Sequence, residues 1–292
     1  MTTSLEFSNP MRIFLAGASG AIGRVLVPML LDAGHEVVGT SRSAAAASEL
    51  AAVGVKGIVL DVLDAAATTE AVRAAAPDLV LHELTALAGG SSADNAHLRR
   101  VGTRNLVDAA KAAGVKRMVA QSISWAYAPG DSPADENTAL DVEAGEPRSL
   151  TIGGIQALEG AVAELPEHVI LRYGTLYGPG TWYASGGLMA TKLASGDLPA
   201  NDGVSSFVHV RDAARATVAA LGWPNGAVNI VDDEPAAASS WVPVLAAALD
   251  RPVPDRTPGG AGWERGASNA LAKSRGVTFE FPSWREGFGN DG

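Results

Sequence analysis

The segment that most constrains this chain is Met11-Arg12-Ile13-Phe14-Leu15-Ala16-Gly17-Ala18-Ser19-Gly20-Ala21-Ile22-Gly23, where an apolar run feeds into glycines at 17, 20 and 23. An amphipathic pattern follows at once, with Val25, Leu26, Met29 and Leu30 at helical spacing. Strand, tight turn and helix in that order form an anion-binding device. The glycines let backbone N–H groups approach a pyrophosphate, and the helix N-terminus adds its partial positive charge. In a chain with 33 glycines the spacing alone says little. The flanking strand and helix give it weight, and they make Gly17, Ser19, Gly20, Ala21, Ile22 and Gly23 the expected phosphate-binding residues. An ordinary tight turn between strand and helix is the plain alternative.

Short apolar runs at 11–16, 36–40, 56–60, 78–82, 116–121 and 168–173 alternate with helical patterns at 21–33, 44–53, 65–76, 94–113 and 150–165. Gly34, Gly54 and Gly114 stand where three of those helices should stop. This alternation predicts an α/β fold, a Rossmann-type doubly wound parallel sheet covered on both faces. Pro, Gly and acids then crowd 128–149, a loop placed to overhang the cofactor crevice or to serve as a surface connection. Beyond about 175 the pattern is mixed. We therefore expect a dinucleotide-binding domain over 1–175 and a smaller substrate-binding α/β region over 176–292.

Several function classes drop out. No apolar run approaches the ~18 positions of a membrane span, and the first ten residues do not read as a secretory signal. The absence of cysteine removes disulfides, thiolate nucleophiles and Cys-based zinc sites, and fits a cytoplasmic location. A net charge of -10 opposes a broad nucleic-acid surface. Histidines 35, 82, 97, 168 and 209 lack metal-ligand spacing, so no metal is expected. No Gly-Lys-Ser/Thr follows the glycines, and no Gly-x-Ser-x-Gly occurs. A small-molecule substrate is the expected partner.

The second strand ends in Thr40-Ser41-Arg42 with no acid to receive a ribose 2′-hydroxyl. Ser41 and Arg42 offer a hydroxyl and a guanidinium suited to a 2′-phosphate, which favours NADP over NAD. Arg42 as a solvated helix-start residue is the alternative. Asp61, with Val62 beside it, is placed to accept a hydrogen bond from the adenine amino group, or to act as a turn acid.

Further segments fall in a recognisable order: Val80-Leu81-His82, Val101-Gly102-Thr103-Arg104-Asn105-Leu106, Leu171-Arg172-Tyr173-Gly174-Thr175-Leu176-Tyr177-Gly178-Pro179-Gly180 and Phe207-Val208-His209-Val210-Arg211-Asp212-Ala213-Ala214. With the glycine turn and Asp61, this set resembles the extended short-chain dehydrogenase/reductase family, in its NAD-dependent epimerase/dehydratase group. The resemblance implies a nicotinamide cofactor, with Tyr173 among its neighbours. It also implies a homodimer formed through the 94–113 and 150–165 segments.

The chain departs from that family at its chemistry. The family uses a Tyr and a Lys four positions apart, hence on one helix face, where the cation lowers the phenol's pKa. Here the residues four beyond Tyr127, Tyr173, Tyr177 and Tyr183 are Asp131, Tyr177, Thr181 and Gly187. Aligned on Ala157-Leu158-Glu159, the expected Tyr falls on Thr151 and the Lys on Ile155; the family's Asn falls on Arg99. Ser122 or Ser124 fills the family's Ser, unless both simply bond backbone at a strand end. Loss of a positioned acid typically costs ~10²–10⁴-fold in rate. Tyr127 is the favoured replacement donor, ahead of Glu83, Thr85, Tyr177 and His209, and its alternative is an aromatic packed under the loop. Glu83, Arg99, Thr151, Tyr177 and His209 form the expected substrate-binding set, with Arg99 and Arg100 able to clamp an anionic group or to form a solvated face. The expected function is an NADP-preferring oxidoreductase acting on a small polar carbonyl or hydroxyl metabolite through a non-standard donor. A non-redox epimerase, dehydratase or cyclase, and a catalytically inactive NADP(H)-binding regulator, stay open.

Overall fold

The computed structural model describes residues 10–86 and 91–289. Of the N-terminal stretch weighed as a secretory signal, all but Pro10 lies outside the described residues. Strand β1 (Arg12–Ala16) leads through the glycine turn into α1 (Ala21–Asp32), followed by β2 (Glu36–Ser41), α2 (Ala44–Ala52), β3 (Lys56–Val59), α3 (Ala65–Ala75) and β4 (Leu79–His82). Ile13, Phe14, Leu15 and Ala16 are fully buried. Both faces of β1 are covered, so its apolar run is continuous and does not alternate. Ser43 and Asp64 start α2 and α3 by accepting the amides of Ala46 and Ala67. Gly34, Gly54 and Gly114 all adopt the left-handed conformation.

The region read as one helix over 94–113 is three pieces: α4 (Ser92–His97), a π-helical turn (Leu98–Gly102) and α5 (Thr103–Ala112). Strand β5 (Arg117–Ile123), α6 (Arg148–Val162) and β6 (Glu167–Tyr173) follow. Next come β7 (Thr175–Tyr177), α7 (Leu188–Ser195), β8 (Val204–Ser205), β9 (Phe207–His209), α8 (Val210–Ala220) and β10 (Gly226–Ile230). The seven-stranded sheet has the order β10-β6-β5-β4-β1-β2-β3. Its pairs from β3 through β5 are parallel, with Arg12 opposite Glu36 and Ile13 opposite Leu79. β1 thus lies between β2 and β4, the reversal point beside which such sheets bind ligands.

The chain divides into two compact units that interleave along the sequence. The first holds the residues through Ser122, with Val142–Leu171 and Thr217–Gly226. The second holds Ile123–Asp141, Arg172–Ala216 and the residues from Ala227 onward. In the second unit β7 runs parallel to β9, while β8 pairs antiparallel with β11 (Ala236–Ala237) ahead of α9 (Ala238–Ala248). The Pro- and acid-rich stretch is sewn down there over 128–141. Arg265 donates to the carbonyls of Ala128, Pro129 and Ser132, and Ala134 exchanges backbone bonds with Gly266 and Ser268.

An aromatic core holds the second unit together. Phe207, Trp241, Tyr177, Trp284 and Phe288 pack with ring centroids 5.3–6.3 Å apart in mostly edge-to-face pairs. Trp284 is fully buried. Its amide donates to the Asp232 carboxylate at 2.9 Å and its indole N–H to the Glu234 carbonyl at 2.9 Å. Asp212 likewise accepts the amides of Glu280 and Phe281 at 2.7 and 2.9 Å. Trp284→Ala removes the largest buried side chain of this core, and urea unfolding followed by near-ultraviolet dichroism is expected to show a loss of ~3–5 kcal/mol.

Candidate functional site

The site begins with a turn whose shape only glycine permits. Gly17 has φ of +97°, and a Cβ there would stand 2.6 Å from the Glu83 carbonyl oxygen. At Gly23, in the first turn of α1, a Cβ would stand 2.3 Å from the Gly17 carbonyl oxygen. Glu83 N–H donates to Ala16 and Ala18 N–H to Thr40, tying the turn to the ends of β4 and β2. The N-terminus of α1 has no side-chain cap and no acid in its first turn. Its free amides therefore suit a pyrophosphate.

The residues read as the adenosine end lie along the same edge of the first unit. Ser19 Oγ donates to Ser41 Oγ at 3.0 Å, and Ser43 N–H donates to Ser41 as well. Arg42 is exposed and makes no hydrogen bond or ion pair with any described residue. Asp61 is exposed; one carboxylate oxygen closes a turn by accepting Leu63 N–H at 3.0 Å, and Val62 beneath it is buried. Ile22 is buried in α1, and Tyr173 is buried on β6.

At the ends of β4 and β5 the side chains are already engaged. His82 accepts Leu84 N–H at Nδ1, so its proton sits on Nε2, which is 2.8 Å from Thr103 Oγ1. Burial, and the nearby Arg99 charge besides, lowers this imidazole to about 4. Ser122 donates to the Glu159 carboxylate on α6 at 2.7 Å. Glu83 is buried, and Thr151 is half-buried on α6. That helix, Arg-Ser-Leu-Thr-Ile-Gly-Gly-Ile-Gln-Ala-Leu-Glu-Gly-Ala-Val, contains neither Tyr nor Lys, and Ile155 on it is fully buried.

Three further expected site residues belong to the second unit. Tyr127 is fully buried in the second unit. Its hydroxyl donates to Asn229 Oδ1 at 2.6 Å and accepts from Arg172 Nη1 at 2.9 Å. Burial raises the phenol's pKa, with the Arg172 charge opposing. Tyr177 and His209, expected to touch substrate, are core residues: their rings meet edge-on at 5.1 Å, and His209 lies 3.9 Å from the Phe281 ring. Burial pushes Tyr177 upward and lowers His209 to about 4. Phe288 packs on the Tyr177 ring and Phe281 on the His209 ring. Ser124 is also buried, its amide donating to Tyr173 O at 2.8 Å. Asn229 and Glu159, the partners that fix Tyr127 and Ser122, carry no local sequence signal. They lie 102 and 37 residues away.

Among the described residues no cluster of His, Cys, Asp or Glu could hold a metal, and no helix is long and apolar enough to cross a membrane. Sheet, glycine turn and uncapped helix define a Rossmann-fold dinucleotide-binding protein. Its family is equally plain. The model for the NAD dependent epimerase/dehydratase family matches residues 13–231, and the chain belongs to that family. It is thus an NAD-dependent enzyme of the epimerase, dehydratase or reductase type. A Streptomyces protein named 3-diazoavenalumate denitrifying reductase is 41% identical over 308 aligned positions, covering 96% of this chain and 100% of that one. Two solved structures share the fold. A Bordetella bronchiseptica enzyme, WbmG, in complex with NAD and UDP, matches with TM-score 0.78 at 21% identity, over 97% of this chain and 93% of that one. A Thermus thermophilus UDP-glucose 4-epimerase complex with NAD matches with TM-score 0.77 at 23% identity, over 96% and 97%.

Two measurements check this geometry. Gly23→Val forces the α1 amides away from Gly17 and should weaken NADH and NADPH binding by calorimetry at least ~10-fold, with the overall helix content kept. His82 and His209 have folded-state values below the ordinary 6.5, so each stays neutral as the pH falls from 6.5 toward about 4, and each withdraws stability over that window. Their ring resonances should show no titration at pH ~6, where an ordinary histidine is largely protonated.

Proposed function

We propose that this chain is an NADPH-dependent reductase that delivers hydride to a substrate needing no proton from the protein, namely an aromatic diazonium group. The single observation that carries this is the state of the hydroxyl groups. Ser122 has its proton committed to Glu159, and Tyr127 has its own committed to Asn229. The hydroxyls of α6 belong to Ser149 and Thr151, aliphatic alcohols far too weakly acidic for general acid work, and Ser149 donates to Glu146. A carbonyl reduction needs a proton on oxygen. A diazonium reduction does not.

The reduced nicotinamide, when bound, supplies a hydride to the ring carbon that bears the diazonium group. One C–H bond forms there, one C–N bond breaks, and dinitrogen leaves with the C–N electron pair. The positive charge of the diazonium group passes to the oxidised cofactor, and no proton enters or leaves. The chain's own part is binding and orientation. The amides at the start of α1 would hold the pyrophosphate, Ser41 and Arg42 would hold a 2′-phosphate, and Asp61 would take the adenine amino group. Ser122 is pinned by Glu159. Tyr127, held by Asn229 and Arg172, serves as a structural tie within the second unit in place of the donor role expected of it. The full-length likeness to a denitrifying reductase that acts on a diazo compound supports the reading.

The test follows the label. With 3-diazoavenalumate as substrate and NADPH deuterated on the transferred position, the product should carry one deuterium at the carbon that lost nitrogen. With unlabelled NADPH in D₂O it should carry none. NADPH should outperform NADH in kcat/KM by roughly 10-fold or more through Arg42. Solvent deuterium at that carbon, or absence of NADPH consumption, overturns the reading. Product formed with no net cofactor change restores the epimerase or dehydratase alternative.

A further inference from the structure

We infer that Arg99 forms an anion subsite that grips the carboxylate of the substrate. Arg99 lies in the π-helical turn between α4 and α5, and only 6% of it is exposed. It makes no hydrogen bond or ion pair with any described residue, which sets it apart from its neighbours. Arg104 is held by Asp108 and Glu164, each at 2.6 Å, and the exposed Arg100 donates to the Leu150 carbonyl. Among the described residues no carboxylate acts on Arg99. Desolvation alone lowers it, to about 10, so it stays charged at neutral pH.

Most of Arg99 is removed from water, and no described carboxylate or carbonyl offsets that loss. The nearest titratable group offers no relief. His82 is neutral, and its one N–H is already committed to Thr103. What Arg99 lacks is a planar oxyanion, and its forked donors match a carboxylate with two parallel bonds. A single buried cation suits a monoanion better than the dianionic phosphate of a cofactor. The π-helical turn adds an independent pointer, because such turns concentrate at functional sites and re-aim the side chains they carry. Taken with the aromatic diazonium group proposed above, the substrate class is therefore an aromatic carboxylate. This identification of the ligand as substrate rests on the reductase reading above.

The experiment uses the whole protein saturated with NADP⁺, titrated calorimetrically with benzoate and trans-cinnamate and with their neutral amides, benzamide and cinnamamide. The acids should bind the wild type roughly 10-fold or more tighter than the amides, as a charge-assisted pair should. Arg99→Asn and Arg99→Met should both abolish that preference while leaving NADP⁺ affinity within about twofold. Unliganded Arg99→Met should melt no lower than the wild type, because a charge without a partner has been removed. Acids that bind no better than amides, or a preference that survives both substitutions, overturn the subsite. So does a loss of NADP⁺ affinity with the acid preference intact, which assigns Arg99 to the cofactor. A fall in melting temperature of more than ~4 °C in Arg99→Met makes the residue structural and also overturns it. The two readings fail separately. Arg99-dependent acid binding without diazonium reduction leaves the subsite standing, whereas reduction with unchanged KM in Arg99→Asn sinks the subsite alone.

Discussion

The backbone contact between the turn after β1 and the end of β4 sets the geometry of everything around it. Gly17 lies against the Glu83 carbonyl with no room for a Cβ, and Glu83 N–H closes the contact from the other side by donating to Ala16 at 2.9 Å. Ala18 N–H adds the bond to Thr40 at the end of β2. Three strand ends are thereby held at fixed spacing. Gly23 then lets α1 start directly above Gly17, so the helix axis and its free amides point where three parallel strands finish. The aim of the helix N-terminus follows from two missing methyl groups.

The central sheet is legible in the chain because parallel strands covered on both faces must be apolar throughout, and helices between them must stop at residues that tolerate a left-handed turn. β1, β2 and β4 accordingly fall within a residue or so of the apolar runs that announce them. The π-helical turn was not legible, since Leu98-Arg99-Arg100-Val101-Gly102 contains nothing that an ordinary helix would refuse. Tyr177 and His209 show a different limit. Their motif-like neighbours suggested a site, but burial by Phe281, Trp284 and Phe288 is a tertiary fact about residues some seventy positions or more away. Tyr127 shows the same limit, because only the fold reveals that Asn229 and Arg172 occupy its hydroxyl.

Chemistry and scaffold come apart in this chain. The dinucleotide platform keeps every element its physics needs, while α6 contains neither Tyr nor Lys and carries Ile152, Gly153, Gly154 and Ile155 in a row. Such a helix still has work to do through Glu159, which reaches Ser122 and locks α6 to β5. A site built this way can place a hydride donor and exclude water without managing protons.

The π-helical turn has an evolutionary corollary. A π turn arises when one extra residue is accommodated within a helix without lengthening its flanks. Deleting a residue from Leu98–Gly102 would restore a straight helix and rotate the preceding positions by about a hundred degrees around its axis. Relatives that share this insertion should therefore also share the direction in which residue 99 points, and those one residue shorter should not. A single gap in an alignment thus sorts relatives by the side of the helix on which residue 99 stands.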